Sequence, residues 1–132
     1  MRKILFRGKR KDNGEWIMSS DISKPDYDEV YLWARGNWTE VYPETVGHST
    51  GLEDKNKNMT FTGDIVKKDC GDIGIISLGT YVTWSTTHFG FYIDWHNDKL
   101  LRPDILYWFD RNRVSVIGNI HDNPELLEAE DD

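Results

Sequence analysis

The chain has 132 residues, a formal net charge of −7, and 38% hydrophobic against 30% charged residues. That is enough for one domain with its own core and short for two. Six Trp, six Tyr and five Phe supply much of the buriable area, and the lone cysteine, Cys70, excludes an internal disulfide and a multi-cysteine zinc site. An acidic body repels a phosphate backbone, so duplex nucleic acid is a poor partner.

Six basic groups crowd the first eleven residues (Arg2, Lys3, Arg7, Lys9, Arg10, Lys11). They read as the solvated face of a strand and a hairpin tip, with a nucleic-acid arm as the competing use. Ile4 and Phe6 alternate with polar neighbours, Asp12-Asn13-Gly14 predicts a tight turn, and residues 15–18 return as a second strand. Residues 19–30, polar and broken by Pro25, read as a connection that leaves the sheet. Residues 30–33 and 38–42 predict a second hairpin around Arg35-Gly36-Asn37.

Residues 45–66 hold the centre of the chain. Gly47, Gly51 and Gly63 punctuate the segment, and the polar tip at residues 53–58 predicts strand, turn, strand. Met59 and Phe61 fall on one side of the returning strand, with Thr60 and Thr62 on the other. Gly63-Asp64 then redirects the chain. An Asp in such a turn accepts backbone amides in the ordinary case; a metal or general-base carboxylate is the alternative.

Cys70-Gly71 leads into a short apolar strand. Residues 81–84 and 89–95 are dense in β-branched and aromatic residues, with a turn at 85–88 and the end of that hairpin at Asn97-Asp98. Residues 100–109 fit either helix or strand, and a short helix or turn after Pro103 is the preferred reading. Residues 114–120 predict the last strand. Asn123-Pro124-Glu125 marks a helix start, with Asn123 as its side-chain cap. The expected organisation is a single domain over residues 1–127 with an acidic, frayed tail at 128–132. Many short strands with turn signals about every ten residues predict a mainly β chain, a small barrel or sandwich.

Taken together, residues 4–9 with Gly14-Glu15-Trp16, Thr45-Val46-Gly47, Thr50-Gly51-Leu52 with Asp54-Lys55-Asn56, Gly63-Asp64-Ile65-Val66, residues 116–120 and residues 123–127 resemble the YopX family, in the family's order and over nearly the whole chain. The resemblance implies a phage or prophage origin and a fold similar to an SH3-like small barrel, with extra N-terminal hairpins and a short C-terminal helix. It implies no activity and no site residues. The family pattern usually has glycine where this chain has Lys57, so the left-handed turn position falls to Lys57, Asn56 or Asn58. It usually has an acid where this chain has Thr62, which weakens any paired-carboxylate scheme with Asp64.

No spacing of catalytic or nucleotide-hydrolysing type occurs. The four histidines (His48, His88, His96, His121) share no ligand spacing, although His88 and His96 are candidates to meet across a hairpin. Cys70 lacks a recognisable base. Trp84, Tyr92, Trp95, Tyr107 and Trp108 are divided between core packing, subunit contact and a stacking platform for a nucleotide-type ligand. On the last reading Arg7, Lys9, Arg102 and Arg111 would hold phosphates. Gly47, Gly51, Asn56, Gly63 and Asp64 are assigned to turns. The expectation is a non-catalytic, cytoplasmic binding module without cofactor or metal, acting by self-association as a homo-oligomer or on a host protein. Alternatives are a receptor that sequesters a small nucleotide signal and a metal-dependent hydrolase.

Overall fold

The structure, a computed structural model, describes residues 4–69, 71–96, 101–110 and 113–128. Among them lie β1 Phe6–Lys9, β2 Trp16–Ser19, β3 Ile22–Asp26, β4 Glu29–Ala34, β5 Asn37–Val41, β6 Gly47–Glu53, β7 Met59–Phe61, β8 Asp64–Lys68, β9 Ile73–Thr83, β10 Thr86–Trp95, α1 Ile105–Asp110, β11 Val114–Asn119 and α2 Glu125–Glu128. The protein is mainly β, with three antiparallel sheets. No closed barrel is found among the described residues: the sheet β10-β9-β8-β11 ends on β10 and β11, which do not pair with each other. The chain divides into two compact units, Met1–Gly51 and Leu52–Asp132, and β6 runs through the division.

In the first unit, β1 and β2 form the predicted hairpin. Gly14 takes φ 75°, and the Asn13 side chain accepts the Glu15 N–H at 2.9 Å. β4 and β5 close on Arg35-Gly36, both left-handed (φ 52° and 82°), the two-residue turn that matches strand twist. Residues 19–30 differ from expectation, because Ile22 and Ser23 pair with Leu32 and Tyr31 of β4. Pro25 is tolerated because β3 is an edge strand whose register shifts between Ser23 and Asp26. Val30 and Leu32 alternate inward on β4 and meet Val41, with Phe6, Ile17, Ile22 and Val46 packed around them.

The second unit is built on β8, whose Ile65 and Val66 are fully buried. β9 pairs on one side (Ile65↔Ile75, Val66↔Gly74), and β11 on the other (Val116↔Val66, Gly118↔Ile65) with a bulge at Ile117. Val66, Ile76, Ile93, Val114 and Phe109 share the core with two indoles. Trp95 and Trp108 meet edge to face at 5.2 Å, and both donate Nε1–H to the Arg102 carbonyl, at 2.9 and 2.7 Å. That single acceptor holds the segment before α1 and fixes both rings, leaving neither buried N–H unpaired. α1 forms after Pro103, as predicted. α2 also forms, but Asn123 turns its side chain back to accept the Asn119 N–H at 3.2 Å, and its backbone carbonyl takes the Leu126 N–H.

The turn after β6 is organised by Asp54, which is buried. Its Oδ1 accepts the N–H groups of Asn56 and Asn58 at 2.9 and 2.8 Å, and its Oδ2 accepts the Val116 N–H of β11 at 2.8 Å. Burial opposes ionisation here, yet the donations from Val116, Asn58 and Asn56 outweigh it and hold the carboxyl below its ordinary range. The left-handed position is taken by Lys57, at φ 69°, so the lysine itself occupies the place where the family pattern usually has glycine. Lys57→Gly is expected to relieve this conformation and stabilise the chain by about 0.5–1 kcal/mol, read as a higher urea midpoint at unchanged slope.

β7 departs from simple alternation. Thr60 and Phe61 are both buried while Met59 faces out, because Thr60 donates its hydroxyl to the Leu52 carbonyl at 2.9 Å. Gly63 (φ 90°) donates to the Ile76 carbonyl and accepts from Ile120, and Asp64 accepts the Phe61 N–H at 2.8 Å. Gly47 and Gly51, assigned to turns, lie instead inside β6, with Gly51 left-handed at φ 79°. Such a residue kinks a strand without ending it.

Candidate functional site

The residues singled out from the sequence do not make one platform. Arg7 and Lys9 belong to the first unit, where they stand over the Trp16 ring at 4.8 and 5.6 Å. Trp95 and Trp108 are core residues of the second unit, and Tyr107 packs edge to face on Trp108 at 4.9 Å. The Arg102 guanidinium is held by Asp104 through two bonds of 3.0 and 2.6 Å and lies 4.3 Å from the Tyr107 ring centre. A cation held in this way is occupied by its own carboxylate. Cys70, Arg111 and Asn97-Asp98 lie outside the described residues.

What the structure does assemble is a ribbon. β9 and β10 pair from Gly74↔Trp95 to Thr83↔Thr86, with only Trp84 and Ser85 between them. Both turn residues are left-handed, φ 52° and 69°. The predicted turn at 85–88 is therefore shorter, and the strands longer. Trp-Ser carries no Asn-Gly signal, and a ladder of ten pairs forces the conformation. Near its base the ribbon is supported: β8 covers the β9 edge as far as Ile75, and Pro103 accepts the Ile93 N–H at 2.8 Å along the β10 edge. Beyond Ile76, among the described residues, no strand pairs with the outer edge of β9.

The register sorts the side chains onto two faces. On one, Gly79 sits opposite Gly90, and the room this leaves lets Tyr81 stack on Tyr92 at 5.3 Å and on His88 at 5.1 Å. His88 Nε2 lies 2.6 Å from the Thr83 hydroxyl, so this face is internally paired. The opposite face begins in the core with Ile76, Ile93 and Trp95 and continues outward as Leu78, Val82 and Phe89. There it leaves cover: Leu78 is 47% exposed, Val82 57%, Phe89 78% and Trp84, at the tip, 85%. Residues 73–93 contain no Asp, Glu, Lys or Arg, in a chain that is 30% charged. That gap is the sequence signal which points to the ribbon.

A groove of about 270 Å³ at the ribbon's base is lined by Tyr81, Tyr92, Asp94, Leu101 and Pro103 among others; the charge it presents is the acidic Asp94. Among the described residues no group of three or more His, Cys, Asp or Glu lies within reach of one metal ion. His88 and His96 do not face each other across a hairpin: His88 lies on β10, and His96 follows that same strand, its N–H donating to the Ile73 carbonyl. No helix among the described residues is long and apolar enough to cross a membrane.

Comparison with solved structures gives a similar chain in the crystal structure of protein EF1440 from Enterococcus faecalis, at 22% identity and a TM-score of 0.55, covering 96% of this chain and 99% of that one. At that identity the likeness speaks for the fold alone. A search of curated proteins returned no match. The YopX protein family matches residues 5–128. With nearly its whole length matched, this chain belongs to the YopX family.

Proposed function

We propose that the protein is a non-catalytic binding module, encoded by a phage or prophage and working in the cytoplasm of its bacterial host, that acts through protein contact. The observation that carries this reading is the outer β9–β10 face, where Leu78, Val82 and Phe89, with Trp84 at the tip turn, leave water-exposed apolar surface in the uncharged stretch of residues 73–93. Soluble chains seldom expose contiguous apolar surface of this kind unless something docks on it. Interface cores are depleted in charge and enriched in aromatics, which is the composition of this face. The SH3-like barrel kinship implied by the family resemblance belongs to this reading, supported by the short, tightly turned antiparallel strands of the first unit.

A nucleotide receptor draws less support. Arg102 is committed to Asp104, and the groove beside Tyr92 presents an acid where phosphate would need a base. The test is a paired measurement: light scattering of the purified protein, and a pull-down from host lysate, each on wild type and on Phe89→Glu. A complex, homotypic or with a partner, that is lost in the variant at unchanged far-UV circular dichroism is the expected result. A strictly monomeric protein that retains no partner overturns the reading.

A further inference from the structure

We infer that the outer β9–β10 face is a homotypic interface, packing against the same face of a second copy of this chain about a twofold axis. The inference rests on the binding-module reading above and names its partner.

Charge selects the occupant. Two copies each carrying −7 repel over most of their surfaces, so a self-contact is least opposed where both sides are neutral. Residues 73–93 are the stretch that meets this condition, flanked by Asp72 and Asp94 at the ribbon's base. A partner chosen for opposite charge would be recognised on the acidic surface and would not need a face free of ionised side chains. The other ribbon face, with Tyr81, His88 and Tyr92 already stacked on one another, offers no comparable unpaired apolar row.

The size of the face agrees. With an aromatic side chain able to bury roughly 150–250 Å², the exposed fractions of Phe89 and Trp84 leave on the order of 300–400 Å². Leu78, Val82, Thr80 and Thr87 stand on the same face and bring it to roughly 600 Å² per copy, the lower end of a specific contact. The left-handed Trp84 places the largest exposed ring at the tip, where it reaches furthest along a facing ribbon. A twofold contact also uses each residue twice, so a modest patch does double service. The ribbon gains as well. Two strands without lateral support are marginal in water; beyond Ile76 no described strand pairs with the outer edge of β9, and cover on the apolar face supplies packing there.

The experiment is sedimentation equilibrium of the full chain at 1–100 μM, at low and at high sodium chloride, for wild type, Phe89→Glu, the uncharged pair Leu78→Ser with Val82→Ser, and Tyr27→Ser as a control on an exposed ring elsewhere. All the altered side chains are exposed, and circular dichroism checks that each variant folds. The expected result is a wild-type dimer that tightens as salt screens the like charges. Phe89→Glu and the Ser pair should each weaken it at least about 100-fold, and Tyr27→Ser should leave it unchanged.

A dimer that Phe89→Glu and the Ser pair both leave intact overturns this inference while self-association by another surface stands. A monomeric wild type that captures a host protein through Phe89 overturns it while the binding-module reading stands. A monomer that captures nothing ends both. A dimer that dissociates as salt rises is held by ion pairs and also overturns it.

Discussion

Asp54→Ala is expected to destabilise the second unit by about 3 kcal/mol, because it strands three backbone N–H groups, those of Asn56, Asn58 and Val116, that one carboxylate now accepts. The Val116 bond spans 62 residues of sequence and ties the turn after β6 to β11. Amide exchange should therefore accelerate at Val116 and across the residues 54–58 turn together, and remain slow in β4 and β5 of the first unit. Asp54→Asn keeps one acceptor oxygen and should cost roughly half as much.

The same carboxylate predicts the acid limb of stability. Its folded pKa lies below the unfolded value, since the Val116, Asn58 and Asn56 donations outweigh the opposing effect of burial. Its contribution is then fully present above the unfolded carboxylate range, about pH 4, and is lost as pH falls through the lower folded value. Urea midpoints measured from pH 7 downward should fall below pH 4 in the wild type. The fall should be shallower in Asp54→Asn, which cannot titrate at that position. Equal slopes in the two proteins would show that other carboxylates carry the acid sensitivity.

Trp108→Ala should cost about 3–5 kcal/mol, the range for emptying an aromatic site in a packed core. Trp108 is buried between Trp95 and Tyr107, and its indole N–H holds the Arg102 carbonyl at 2.7 Å. Trp108→Phe retains most of the ring volume and loses the donor, and since Trp95 still serves the same carbonyl the expected loss falls to about 1 kcal/mol. Urea unfolding followed by far-UV circular dichroism separates the two variants. Equal losses would mean that the hydrogen bond, not the packing, governs this part of the core.

Several elements were legible from local chemistry alone. Gly14 determines the first hairpin because the four-residue turn between Arg10 and Glu15 ends on a left-handed residue, φ 75°, which glycine adopts at little cost. Pro103 determines where α1 begins, the alternation of β4 puts Val30 and Leu32 inside, and the matching blocks from residue 5 to residue 128 determine the family. The absence of charge from residues 73–93 was equally plain in the chain.

Other features were decided only once the chain was folded. β3 forms despite Pro25 because an edge strand needs only half of its hydrogen bonds. Lys57, Trp84 and Ser85 take left-handed conformations that their own preferences resist, since closing Asp54's turn and the β9–β10 ladder outweighs each local cost. The aromatics divide for the same reason. Trp95 and Trp84 sit in equally apolar, ring-rich sequence, yet Trp95 is buried and Trp84 is exposed, because β8 and α1 reach only the base of the ribbon. Composition sets how much apolar surface a chain owns. Which part of it stays wet depends on where the neighbouring elements stop, and that is a distance through space that no local pattern contains.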